Sequence, residues 1–103
     1  MATECVFTTE CIAGETCTDT DFQVSMERDP DVRTQARLVT EFGIFQGLYS
    51  NSRGNPPENV VAFLRDTGDS YHLSWTETSA WLTLHMPSSD LAITYLGQCG
   101  ENT

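Results

Sequence analysis

Residues 59–99 read NVVAFLRDTGDSYHLSWTETSAWLTLHMPSSDLAITYLGQC, and the alternation of apolar and polar residues along them decides the fold. A β-strand sends successive side chains to opposite faces, so a strand with one dry face shows a period of two. Four such runs lie here, separated by three short segments of turn chemistry. If Thr67-Gly68 is a two-residue hairpin loop, its glycine taking the positive φ such loops demand, then Leu64 faces Tyr71, Ala62 faces Leu73 and Val60 faces Trp75. The turn Thr76-Glu77-Thr78-Ser79 sets Trp75 against Ala80, Leu73 against Leu82 and Tyr71 against Leu84. The turn Pro87-Ser88-Ser89-Asp90 sets Met86 by Leu91, Leu84 by Ile93 and Leu82 by Tyr95. A slip of one residue at any turn would invert a whole strand. The agreement of all three therefore specifies a four-stranded antiparallel meander with Val60, Leu73, Leu82 and Ile93 on a common dry side.

The opposite face is mixed. On the same register Val61, Ser74, Trp81 and Leu96 make one row, Phe63, His72, Thr83 and Thr94 the next, and Arg65, Ser70, His85 and Ala92 a third. Val61, Phe63, Trp81 and Leu96 have two readings. The preferred one is a minor core beneath another segment; the other is an exposed apolar patch that marks a partner site.

Working outward to the N-terminus, Cys5, Phe7, Thr9 and Cys11 alternate with Val6, Thr8 and Glu10, and beyond a glycine turn Phe22, Val24 and Met26 alternate with polar residues. This is a hairpin. A three-residue loop at Ala13-Gly14-Glu15 places Cys11 opposite Cys17, within reach of a cross-strand disulfide, and leaves Cys5 for Cys99. The rival pairing, Cys5 with Cys17 and Cys11 with Cys99, needs a different register and is less favoured. In the preferred pairing the long-range bond ties the first strand to the last.

Arg28-Asp29-Pro30-Asp31 breaks the second strand. Residues 32–42 fit a helix, with Asp29 as N-cap, Pro30 in the first turn and Gly43 past the end. They also fit a strand with Thr34, Ala36, Leu38 and Thr40 on one face. The strand is favoured because both flanks are β and a further strand, 44–49, follows. Residues 50–59, SNSRGNPPEN, carry the densest turn chemistry and read as the longest loop. Tyr49, Asn51, Arg53 and Asn55 around it form a candidate loop site, since binding groups concentrate on long loops. The sum is a single all-β domain over 1–103, with seven to eight antiparallel strands and two disulfides. An up-and-down barrel or a closed sandwich fits best.

At 103 residues the chain is near the size at which a core needs help, and four cysteines supply it. Disulfide use points to the periplasm or the exterior. The cysteine spacings lack the paired knuckles of a zinc site. The abrupt start Met1-Ala2-Thr3-Glu4-Cys5 is expected to mark a mature form that has lost a leader, with a lipid-anchored form as the alternative. No apolar run of membrane-span length occurs.

Asp and Glu number 15 against five Arg and no Lys, for a net charge of −10. That charge repels nucleic acid and anionic lipid and suits a cationic partner. His72 and His85 fall on neighbouring strands with neither cysteine nor carboxylate in their rows, so no metal is expected. There is no Gly-x-Ser-x-Gly elbow, no free thiol if both bridges form, and no phosphate-cradling glycine loop. Asp19-Thr20-Asp21 and Asp66-Thr67-Gly68-Asp69 read as turn residues rather than calcium loops. The expectation is a non-enzymatic domain without cofactor, monomeric, that binds a cationic protein or a cell-envelope component. The alternative is a small-ligand carrier of lipocalin-like barrel type, its lining including Tyr71, Trp75 and Tyr95.

The stretch from Trp81 to His85, then Leu91 to Cys99, with an N-terminal cysteine strand, resembles small secreted proteins of proteobacteria. An acidic β-barrel closed by a terminal disulfide is similar, more loosely, to the periplasmic and membrane-bound inhibitors of C-type lysozyme. That second resemblance implies a carboxylate-rich domain acting on a cationic enzyme. The inhibitors' Ser-Gly-x-x-Tyr loop has no counterpart here, where Ser50-Asn51-Ser52-Arg53 follows Tyr49, and their lysine motif is ruled out by the lack of Lys. No functional residue is carried over.

Overall fold

A computed structural model describes residues 2–52, 55–64 and 68–102, with side chains at 3–51, 57–62 and 68–100. Its strands are β1 (Ala2–Ile12), β2 (Thr18–Arg28), β3 (Gln35–Thr40), β4 (Gly43–Ser52), β5 (Asn55–Leu64), β6 (Asp69–Trp75), β7 (Ala80–Met86) and β8 (Leu91–Asn102). They pair antiparallel in chain order, and β8 returns to β1 to close an eight-stranded barrel. The inward positions carry the apolar residues: Val60, Ala62, Leu73, Trp75, Ala80 and Leu82 are all buried. Ile93 packs against them. An eight-stranded barrel is just wide enough for its side chains to fill. Here Phe7, Val24, Leu38, Val60, Leu73 and Leu82 fill it, each at most 1% exposed.

The β6–β7 and β7–β8 registers are the anticipated ones, with Leu73 opposite Leu82 and Leu82 opposite Tyr95. The β5–β6 register differs by two residues. Val60 pairs with Leu73, Ala62 with Tyr71 and Leu64 with Asp69, so the connection spans residues 65–68 rather than Thr67-Gly68 alone. A shift of two keeps every side chain on its face, but it moves each β5 residue along the barrel. Asp69 opens β6 opposite Leu64. Its side chain is buried and accepts hydrogen bonds from Ser88 N at 3.4 Å and Ser88 Oγ at 2.9 Å, tying the start of β6 to the single 3₁₀ turn Pro87–Ser89.

On β1 the expected alternation holds from Thr3 to Phe7 and then reverses. Phe7 pairs with Phe22 and Gly97, whereas Thr9 pairs with Asp19 and Leu96, a bulge against both neighbours. One residue out of step changes parity. Glu10 therefore lies opposite the buried Tyr95, and Cys11, expected beside Cys5 and Phe7, lies opposite Thr94 on the outer face. At the bulge the backbone of β1 lies close against Gly97 of β8. A Cβ on Gly97 would fall 2.0 Å from Val6 O and 2.6 Å from Phe7 Cα.

Both disulfides have the preferred pairing. Cys5–Cys99 joins directly opposed residues of β1 and β8 on the inside, and Cys11–Cys17 closes the β1–β2 connection on the outside. Residues 35–40 are strand, with Ala36 and Leu38 buried as that reading requires. Asp29 does cap backbone groups, Oδ1 accepting from Asp31 N and Val32 N, but the turn so made leads into β3.

The long loop expected at 50–59 is not there. β4 runs to Ser52 and β5 begins at Asn55. A bulge takes up the prolines: Asn51 pairs with Glu58 and Ser52 with Asn55, leaving Pro56 and Pro57, which have no N–H to give, out of the ladder.

Candidate functional site

The topology gives the barrel two unlike ends. The upper end carries the β1–β2, β3–β4, β5–β6 and β7–β8 connections; the lower end carries the other three and both chain termini. Every described arginine lies toward the lower end, and two are engaged there. Arg37 pairs with Glu27, and the Arg28 guanidinium sits 3.9 Å from the centre of the Tyr49 ring. The upper end gathers Glu10, Glu15, Asp19, Asp21, Glu41, Asp69 and Asp90, with no cation among the described residues.

Below this acidic rim is an aromatic floor. Phe22 and Tyr95 stack with ring centres 4.7 Å apart, Phe7 stands 6.1 Å from Tyr95, and Phe45 stands 4.5 Å from Tyr71. Phe42, in the two-residue turn between β3 and β4, lies 5.9 Å from Phe22 and remains 66% exposed. Burial pushes the Tyr95 hydroxyl up to about 12, helped by its hydrogen bond to Glu10 and by the charges of Glu10 and Glu41. Burial likewise raises Tyr71, with Asp69 adding to it. The upper end is thus a ring of carboxylates over neutral phenols and phenyl faces, an environment that favours cations.

The same end has a fork in its wall. β2 and β3 share four ladder pairs, from Ser25–Val39 to Arg28–Ala36. β3 then ends at Thr40 while β2 continues up to Thr18. Among the described residues no strand pairs with residues 18–24 on the side away from β1. An outer groove of about 380 Å³ fills the fork, lined by Glu4, Asp21, Gln23, Ser25, Val39, Thr40 and Glu41.

Of the residues singled out from sequence, Trp81 is brought beside Leu96 and Tyr49 beside Asn51. Trp81 and Leu96 are cross-strand neighbours on the outer face, 40% and 36% exposed, so they are not a minor core. Val6, at 43%, is exposed nearby on β1, and with Leu96 it borders an outer groove. Val61 sits opposite His72 rather than in the Trp81 row, a consequence of the two-residue shift. Phe63 pairs with Ser70, and its side chain lies outside the described residues.

Tyr49 and Asn51 are strand residues. Tyr49 is buried and donates its hydroxyl to Glu58 at 2.5 Å while accepting from Asn51 Nδ2 at 3.2 Å; burial and the Glu58 bond raise its pKa. Arg53 and the Asn55 side chain lie outside the described residues. His72 and His85 occupy the expected staggered rows, and a ring nitrogen of His72 is bonded to Asn59 Oδ1 at 3.1 Å.

Of the groups that build the upper end, the sequence reading singled out none of Glu10, Glu41 and Phe42, and took Asp21 for a turn residue rather than a calcium ligand, whereas it lies in β2. Only Phe42 carried a signal, as an aromatic beside a glutamate at a hairpin tip.

Fold and site together define a closed, disulfide-bonded antiparallel barrel whose described arginines all lie away from its carboxylate-lined upper end. No family model matches the chain, and neither a search of curated proteins nor one of solved structures finds a match.

Proposed function

We propose that this protein is a non-enzymatic binding domain of the periplasm or the exterior, and that its acidic upper end receives a cationic protein or cell-envelope component. The observation that carries the reading is the placement of charge: among the described residues the upper end holds carboxylates and no cation, over an aromatic floor. Two disulfides fit an oxidising compartment. The alternative of a small-ligand carrier draws no support from an interior occupied by Phe7, Leu38, Leu73 and Leu82.

The test is a titration against basic proteins at low and high ionic strength. A C-type lysozyme is the first to try, on the resemblance noted above, with a basic cytochrome and a basic ribonuclease beside it. Exposed charges are screened over about 10 Å at 0.1 M salt, so affinity for at least one partner should fall steadily as salt rises. Failure to bind any of them at low salt, or binding indifferent to salt, overturns the proposal.

A further inference from the structure

We infer that the fork between β2 and β3 is a strand-addition site, at which an extended segment of the partner, with basic residues alternating with apolar ones, pairs with residues 18–24 of β2. This rests on the cationic-partner reading above and names the mode by which that partner is held.

A strand edge carries N–H and C=O groups that call for a partner, and adding a strand is a recurrent way of meeting that demand. Closure of the barrel removes this edge everywhere along β2 except in the fork, where β3 stops at Thr40 and the β2–β3 ladder ends at Ser25–Val39. Seven residues at about 3.3 Å each give an edge of roughly 23 Å, long enough to pair with a strand of ordinary length.

The chemistry of the two faces sets the occupant. On the outer face Asp19, Asp21 and Gln23 alternate along the edge, and the groove beside them is walled by Glu4 and Glu41 with no cation lining it. Outward side chains of an added strand come to rest beside those carboxylates, where lysine or arginine is favoured and an acid is repelled. On the inner face Phe22 and Val24 are buried, and the apolar surface left open is that of Phe42, which leans over Phe22 from the other wall and is 66% exposed. Inward side chains of an added strand therefore meet apolar surface.

A second copy of this chain is the wrong occupant. Pairing two such edges sets Asp19 and Asp21 of one against those of the other, which is the device by which acidic edges resist self-association. The bulge that carries β2 from Phe22 to Asp19 against Phe7 and Thr9 adds twist there.

The experiment uses the intact oxidised protein and three blocked peptides of eight residues: alternating arginine and valine, the same sequence with every backbone amide N-methylated, and alternating glutamate and valine. Affinity is read by titration, and amide hydrogen exchange is followed across the chain. The alternating basic peptide should bind and slow exchange within residues 18–24; N-methylation, which leaves charge and side chains in place, should weaken binding at least tenfold; the acidic peptide should not bind. Equal binding of the plain and N-methylated peptides overturns strand addition and leaves the cationic-partner reading standing. So does slowed exchange confined to other strands. If the basic peptide does not bind but the basic proteins do, strand addition falls alone; if neither binds, both proposals fall.

Discussion

Gly97→Ala should be among the most damaging single-methyl changes in the chain. The added Cβ would lie 2.0 Å from Val6 O and 2.6 Å from Phe7 Cα, and both are backbone atoms, not the free ends of side chains. To reach even 3.0 Å the Val6 carbonyl must withdraw by 1 Å or more, at the seam where β1 and β8 close the barrel and two residues from the buried Cys5. Overpacking a filled core costs about 1–3 kcal/mol when side chains can give. With backbone on the other side of the clash we expect about 3 kcal/mol or more, which for a domain of this size lowers Tm by roughly 12–24 °C.

The assay is thermal unfolding of the oxidised protein followed by far-ultraviolet circular dichroism. Gly100→Ala is the control, since a Cβ there meets nothing within 4 Å; it should change stability by about 0.5 kcal/mol at most. A Gly97→Ala protein that loses under about 1 kcal/mol would refute the close approach of β1 to β8.

The other expectations follow from the barrel's inside and outside. Trp75→Ala, which empties a buried site, should cost about 3–5 kcal/mol, whereas Trp81→Ala on the outer face should stay within about 0.5 kcal/mol by denaturant titration. Mild reductant should open Cys11–Cys17, whose Cys17 is exposed, before the buried Cys5–Cys99, as thiol trapping and peptide mapping will show. Replacing each pair by alanine should cost roughly 2 kcal/mol for the short loop and 4–5 kcal/mol for the long one on the loop-closure model. Because Tyr95 holds its proton up to about 12 in the folded chain and an unfolded tyrosine ionises near 10, the folded state binds more protons across that interval. Stability should hold below pH 10 and fall as pH rises toward 12, and Tyr95→Phe should flatten that fall.

The meander was legible because three turns voted independently on one parity. The two-residue error at the β5–β6 turn was invisible for the same reason: with Leu64 opposite Asp69 instead of Tyr71, every side chain keeps its face. What moved was position along the barrel, which took Val61 out of the Trp81 row while Trp81 and Leu96 stayed paired. The reversal on β1 had no local signature either. It depends on β8 bringing a glycine against Phe7, a contact 90 residues away in sequence.

Prolines misled the reading of residues 50–59, because Pro56 and Pro57 were taken as the end of strand structure when a bulge accommodates them. The fork was partly legible: a β2 of 11 residues beside a β3 of 6 must overhang. The carboxylate-lined end was not, since it needs the up-and-down topology to show which acids share an end.

The proposal that the upper end is the binding end is tested most directly by moving the same charge at either end of the barrel. Asp21→Lys with Glu41→Lys alters the upper end and Asp31→Lys with Glu77→Lys the lower, and both shift the net charge of −10 by the same four units. Measured against one basic protein at low salt, the upper pair should weaken binding at least tenfold and the lower pair less than about twofold, because screening confines each effect to its own end. Equal losses from both pairs, or a larger loss from the lower one, would contradict the account.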